Sequence, residues 1–385
     1  MWRSIASNAL TLMVVALFLF GGILMWARGE YSAEGPLAAP ICLEVPRGSN
    51  MRRVSDNLSE QGAVSSGFMF RVGADYADKT SQLKAGSYLI PEGASMAEIT
   101  DVITRGGAST CGTEVVYRIG VTRATVQVRQ IDPATGRYET MAQFDPASEE
   151  APAEYTEVRE AGDTRYRVAL AEGVTSWQVV EELKAIDILE GEVEVPEEGK
   201  LAPDSYEVSP GDSRASVLER METSQERILA EAWANRADGL PLETPEEALI
   251  LASIIEKETG NAEERGVVAS VFTNRLERGM RLQTDPTVIY GVTEGKGVLG
   301  RGLRQSELRR ETPWNTYVIA GLPPTPIANP GRASIEAALD PDNTDYIYFV
   351  ARTLDPSDGH LFAETLDEHN RNVAAYRALE RARDN

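Results

Sequence analysis

Residues 9–27 hold a single polar side chain, Thr11, among nineteen positions. At 1.5 Å per residue, a helix over this stretch is about 28 Å long, close to the hydrocarbon thickness of a bilayer. A cleaved signal peptide has a shorter apolar core, so the pattern predicts a membrane helix. No second stretch approaches that length, which leaves the rest of the chain on one side. Arg3 and the amino terminus precede the span, whereas Arg28 is followed by Glu30. That asymmetry favours a short cytoplasmic tail and a large exported body, with Trp26 as an interfacial anchor. The small, polar, proline-bearing residues that follow, up to Pro40, read as a linker.

A second pattern then occurs three times. Val45-Pro46-Arg47-Gly48, Ile90-Pro91-Glu92-Gly93 and Leu170-Ala171-Glu172-Gly173 each precede an amphipathic run led by Val54, Ile99 and Val179. Each copy predicts a strand end, a glycine turn and a helix. Ser49, Ser95 and Thr175 stand in the cap regions, where a hydroxyl accepts from the free N–H groups of a first helical turn. Leu83-Lys84-Ala85-Gly86-Ser87-Tyr88 is echoed by Leu201-Ala202-Pro203-Asp204-Ser205-Tyr206. Between the second and third copies, Val115, Tyr117, Ile119, Val126 and Val128 alternate as a hairpin or small sheet would. Residues 147–164, rich in alanine, glutamate and proline, read as a flexible acidic loop.

From Thr244 the period changes. Thr244-Pro245-Glu246-Glu247 is a helix start with a capping threonine and proline in the first turn. That helix runs to Thr259 and stops at Gly260; Asn261, with Glu264 three residues on, is expected to cap a second helix ending at Gly279. A strand at 346–350 and a terminal amphipathic helix at 366–379 complete an α+β reading.

Composition narrows the function. A net charge of −22 argues against nucleic acid, whose phosphates such a surface repels. Cys42 and Cys111 both fall in the exported part, where they could pair or stay as thiols. Two cysteines and two histidines make no zinc pattern. There is no GxSxG and no HExxH, so a serine hydrolase or metalloprotease has no support. His360 and His369 read as hydrogen-bonding loop and core residues.

The strongest chemical candidate is a helix end. The run from Ala248 to Ile255 is apolar nearly all round and closes on Glu256-Lys257-Glu258-Thr259. A carboxylate beside so apolar a surface carries a desolvation cost, the condition a general acid exploits. A turn that has merely reached water is the plain alternative. Periodicity does not choose between Glu256 and Glu258, which lie about 200° apart around the helix. Two loops add polar and aromatic groups suited to a sugar groove: Gln283, Asp285 and Tyr290, then Trp314, Asn315 and Tyr317. Asp285, preceding Pro286, is expected to be extended, at a turn and not in a helix.

These segments together carry a resemblance. Ala252-Ser253-Ile254-Ile255-Glu256-Lys257-Glu258-Thr259, Val268-Ala269-Ser270-Val271-Phe272, Asn274-Arg275-Leu276 and the run from Met280 to Gly291 resemble the endolytic murein transglycosylases (MltG or YceG-like). Asn315-Thr316-Tyr317, Gly321-Leu322-Pro323-Pro324, Asn329-Pro330-Gly331, Tyr348-Phe349-Val350, Gly359-His360 and His369-Asn370 continue the order. Trp314 stands where that family more often has tyrosine, and Thr325 where it has glycine.

The resemblance implies a cytoplasmic tail at 1–8, a transmembrane helix at 9–27 and a linker at 28–40. It further implies a LysM-like module at 41–113, an inserted segment at 114–164, a second α+β module at 165–243 and a catalytic domain at 244–385. It makes Glu256 the catalytic residue and places Gln283, Asp285, Tyr290, Asn315 and Tyr317 along the glycan. The implied reaction is non-hydrolytic cleavage of the MurNAc-GlcNAc β-1,4 bond in peptidoglycan, leaving 1,6-anhydro ends and limiting nascent strand length, with no metal or cofactor. The implied location is the inner membrane with a periplasmic body; cell-wall synthases and division proteins are further candidate partners. A hydrolytic muramidase using Asp285 as base and a non-catalytic wall-binding scaffold stand as alternatives.

Overall fold

The computed structural model describes residues 2–46, 48–105, 110–160 and 164–383, with side chains from residue 11 onward except at 160 and 356. Met1, the Arg3 side chain, Arg47 of the first glycine turn and 161–163 of the acidic stretch lie outside what is described. The chain divides into two compact units: 1–115 with 127–144 and 150–165, and 116–126 with 145–149 and 166–385.

The first unit begins with α1 (Trp2–Ser32). Its Thr11–Ser32 portion, with mean hydropathy 1.9, is long and apolar enough to cross a membrane. The helix continues five residues past the expected end at 27, and the segment read as a linker is fastened down. The Tyr31 hydroxyl donates to Thr100 Oγ1 at 2.8 Å, and Ser65 Oγ donates to Glu30 Oε1 at 3.0 Å. Gly35 N–H bonds the Gly93 carbonyl while Gly93 N–H bonds that of Leu37, itself buried. Small residues here serve close backbone pairing as well as solubility, which composition cannot distinguish.

β1 (Ile41–Val45) pairs antiparallel with β2 (Gly86–Ile90), Ile41 opposite Ile90 and Val45 opposite Gly86. Between them lie α2 (Met51–Glu60) and α3 (Gly67–Tyr76), and α4 (Met96–Arg105) follows. Asn50, one residue beyond the expected Ser49, caps α2 by accepting from Arg53 N–H. Ser95 and Glu98 cap α4 reciprocally. Leu43, Leu58, Phe70, Ile90, Ile99 and Ile103 are fully buried and form the core.

Cys42 and Cys111 are joined, their Cα atoms 5.6 Å apart. The bridge closes 69 residues of chain, so reducing it is expected to cost about 4 kcal/mol by the loop-entropy relation. Urea unfolding of the full chain in detergent, with and without reductant, measures this; matching midpoints would refute a stabilising role.

The alternating stretch forms β3 (Thr113–Ile119) and β4 (Ala124–Asp132), and β5 (Arg137–Phe144) extends the small sheet beyond the residues read as alternating. The acidic loop is corrected in part: residues 153–160 form a helix, α5 (Ala153–Glu160). Tyr155 is buried with its ring edge-on to Phe144 at 5.2 Å, an anchor that bulk acidity conceals.

β6 (Arg165–Leu170) pairs antiparallel with β7 (Ser205–Val208), and the five-stranded sheet runs β5-β4-β3-β6-β7. α6 (Ser176–Ala185) starts with Thr175 and Gln178 in a capping box. The sequence echo has a common geometry: Tyr88 and Tyr206 each donate a hydroxyl proton to the carbonyl four residues earlier, at Lys84 and Ala202.

The second unit continues with α7 (Arg214–Ala234), α8 (Pro245–Glu258), α9 (Arg265–Glu277), α10 (Asp285–Thr293), α11 (Gln305–Leu308) and α12 (Arg332–Leu339). The hairpin β8 (Tyr348–Ala351) and β9 (His360–Ala363) and the final α13 (Leu366–Arg383) close the chain. α8 is the central element. Every residue from Ala248 to Ile255 is buried, and α7, α9, α10 and α12 pack around it.

Two expected helix starts move. α9 begins at Arg265, because Asn261 bonds Glu263 N–H in a turn of its own and the Glu264 carboxylate turns outward to His360. Asp285 is not at an extended turn: it opens α10, Thr284 before it being the extended residue. Proline is tolerated in a first turn because the N–H it lacks has no intrahelical partner there.

Candidate active site

The last turn of α8 presents three charged residues in succession, and each is engaged by a different part of the second unit. Glu256 is half-buried. Its Oε2 accepts from Gly331 N–H at 3.0 Å and from Ser334 Oγ at 2.7 Å. Both donors belong to the start of α12, where Gly331 is the N-cap, so the free end of one helix holds the carboxylate at the end of another. Oε1 takes no hydrogen bond from the described residues.

Lys257 points to the turn after β6, donating from Nζ to the Gly173 carbonyl at 3.1 Å. Burial pushes its ammonium below the usual lysine range, opposed by the charges of Glu256 and Glu198. Gly173 has a φ of +79°, a conformation that favours glycine. A Cβ there would lie 3.6 Å from Glu256 Cγ and 3.5 Å from Lys257 Cδ, so the turn rests directly on this end of α8. Burial raises the Glu198 carboxyl, against the N–H of Ser176 that it accepts at 2.7 Å.

Glu258 faces the opposite way and accepts from Thr284 Oγ1. Enclosure pushes its carboxyl up to about 7, helped by the Asp285 charge and opposed by Thr284 and Arg275. The ordinary value is 4.5, so the folded chain holds this proton more tightly than the unfolded one. The stability it contributes is complete below about pH 4.5 and is lost as pH rises towards 7. In urea unfolding, Glu258→Gln is expected to match the parent at pH 4.5 and exceed it by about 2–3 kcal/mol at pH 8. Equal differences at both pH values would refute the shift.

Three of the five proposed groove residues come together. The Tyr317 hydroxyl donates to Asp285 Oδ1 at 2.7 Å, and Gln283 N–H bonds the Thr316 carbonyl. Gln283 and Asp285 are exposed, and Gln283 has a φ of +50°, a strained backbone for a residue with a side chain. Tyr290 lies elsewhere, its hydroxyl 3.3 Å from Glu198 Oε2 and its ring edge-on to Trp314 at 5.5 Å. Asn315 is a correction. It is fully buried; Nδ2 donates to the carbonyls of Glu307, Leu308 and Arg310, and Oδ1 accepts from Tyr317 N–H. Its amide is consumed in shaping the loop that carries Tyr317 and cannot reach a sugar.

The sequence model of the YceG-like family matches residues 43–375. The chain belongs to the YceG-like family. The chain is 28% identical over 366 residues to a Bacillus subtilis protein named endolytic murein transglycosylase, covering 93% of this chain and 91% of that one. It is 25% identical to a Streptococcus pneumoniae protein of the same name, covering 87% of this chain and 58% of the longer relative. A crystal structure of a YceG-like protein from Listeria monocytogenes superposes with a TM-score of 0.46 at 25% identity, covering 87% of this chain and 99% of that one. The sequence match carries the assignment.

Within this YceG-like chain, Trp314 Nε1 donates to Thr325 Oγ1 at 2.9 Å. His360 and His369 are hydrogen-bonding and packing residues. The first bonds Glu264 through Nδ1 at 3.0 Å, and the second stacks on Tyr348 at 5.0 Å. Sequence reasoning passed over Glu172, Glu198, Gly331 and Ser334 as candidates. The first lies in a repeated turn and the others in ordinary loops and a helix start, so none carries a local signal.

Proposed function

We propose that this chain is a lytic transglycosylase that cuts the MurNAc-GlcNAc β-1,4 bond inside peptidoglycan strands, leaving 1,6-anhydro-MurNAc ends. The observation that carries the reading is Glu256: a carboxylate fixed through Oε2 by Gly331 and Ser334, with Oε1 left for a ligand. The name shared by the relatives supports the substrate class.

In the reaction, protonated Glu256 gives its proton to the glycosidic oxygen as the C1–O bond breaks through an oxocarbenium-like state. The carboxylate then takes the proton of the muramic C6 hydroxyl as that oxygen closes on C1. The proton balance is zero, and an intramolecular nucleophile dispenses with an activated water. The exposed Gln283 and Asp285 and the half-buried Tyr317 offer an amide, a carboxylate and a ring to flanking sugars.

α1 serves as a single-pass anchor with the body in the periplasm, where the Cys42–Cys111 bridge is chemically at home. The β1-α2-α3-β2 unit acts as a LysM-like glycan-binding module, and cutting nascent strands limits their length. The full chain in detergent, incubated with purified uncrosslinked glycan strands, is expected to yield anhydro-terminated fragments by mass spectrometry. Reducing ends would mean hydrolysis, and intact strands would leave a wall-binding scaffold as the better reading.

A further inference from the structure

We propose that Glu172 is a second carboxyl of the active site, admitted beside Glu256 by the missing side chain of Gly331, and that it sets the charge around the reacting proton. The inference rests on the reading of Glu256 as the acid and base, and extends it to a positioning residue on the turn after β6.

Gly331 meets both carboxyls. Its φ of −73° and ψ of 165° are extended values that any residue adopts, so its own backbone does not require glycine. A Cβ built there would lie 1.8 Å from Glu172 Oε1, 2.2 Å from Cδ and 2.7 Å from Cγ, and these are its three nearest atoms. The residue is small where the Glu172 carboxyl passes over it. The same Gly331 donates its N–H to Glu256 Oε2. One glycine therefore touches both carboxyls.

The approach is set by packing. Gly173, next to Glu172, rests on the stems of Glu256 and Lys257, and its N–H bonds the Asn329 carbonyl two residues before Gly331. The charged groups that act on Glu172 are Glu256 from α8 and Arg265 from α9. Neither carboxyl has an ion-pair partner among the described residues. Burial and the Glu256 charge raise the Glu172 carboxyl, with Arg265 opposing. A like charge beside a carboxyl favours its neutral form, so Glu172 tends to keep its own proton where the first step consumes another. The proton given to the leaving oxygen is replaced from the C6 hydroxyl, and Glu172 ends the cycle as it began.

The test compares Glu172→Gln, Gly331→Ala and the double variant with the parent and Glu256→Gln, all as full chains cleaving glycan strands. Gly331→Ala keeps both carboxyls but pushes the flexible end of Glu172 aside. Glu172→Gln is expected to lower kcat by roughly 10- to 100-fold with little change in KM. It should also change the pH profile, since the raised Glu172 carboxyl no longer titrates beside the reacting one. Gly331→Ala should reproduce both effects, and the double variant should be no worse than either single one. A Glu172→Gln enzyme with the parent's kcat and pH profile would overturn the inference while leaving Glu256 in place; so would losses that multiply in the double variant. Full cleavage by Glu256→Gln, or a parent that leaves no anhydro ends, would overturn the underlying reading and this inference with it.

Discussion

Glu256→Gln is expected to reduce the release of anhydro-terminated fragments by about 10³-fold or more while leaving the fold and glycan binding intact. Glutamine keeps the length of the side chain, and its amide oxygen can accept from Gly331 N–H and Ser334 Oγ as Oε2 does. The substitution removes only the proton that moves, in both directions. Because one carboxyl serves as acid in the first step and base in the second, the two losses fall on a single residue. Initial rates by mass spectrometry, a thermal midpoint and a glycan pull-down separate chemistry from folding and binding. Retention of more than about a tenth of the parent's activity would place the acid elsewhere, since a general acid or base ordinarily contributes at least 10²-fold.

Asn329→Ala is expected to be the most damaging single change that touches no sugar. Asn329 is fully buried; Nδ2 donates to the Val174 carbonyl at 2.9 Å and Oδ1 accepts from Leu201 N–H at 2.9 Å. Its main chain adds bonds to both Gly173 and Val174. Truncation strands a buried donor and weakens the seam that keeps the Gly173 turn against the start of α12. The expected cost is about 3 kcal/mol. For a unit of this size that corresponds to a fall of about 6–12 °C in the thermal midpoint. Cleavage should fall as well, because the same seam presents Gly331 N–H to Glu256. A variant that melts with the parent would show that the backbone bonds alone hold the seam.

What the sequence disclosed follows from the range of the forces involved. α8 was legible because its cap, its proline and its apolar run all act within a turn or two. The turn–helix repeats were legible for the same reason, and the paired tyrosines show that the echo had a physical cause. Asn315 misled because a polar residue between aromatics resembles a sugar contact equally well whether its amide faces outward or, as here, closes its own loop. Glu172 could not be found locally: 84 residues separate it from Glu256 in the chain, and only the packing of Gly173 on α8 brings the two together. Glu258, indistinguishable from Glu256 by periodicity, is set apart by its bond to Thr284.

The way α1 enters the first module has a mechanical consequence. Tyr31 and Glu30 are bonded into that module, and the backbone after them is paired at Gly35 and Leu37. If Thr11–Ser32 lies in a bilayer, the module is mounted on a stalk and not tethered by a leash. Such a mount restrains swivelling and fixes the height at which the module stands above the lipid.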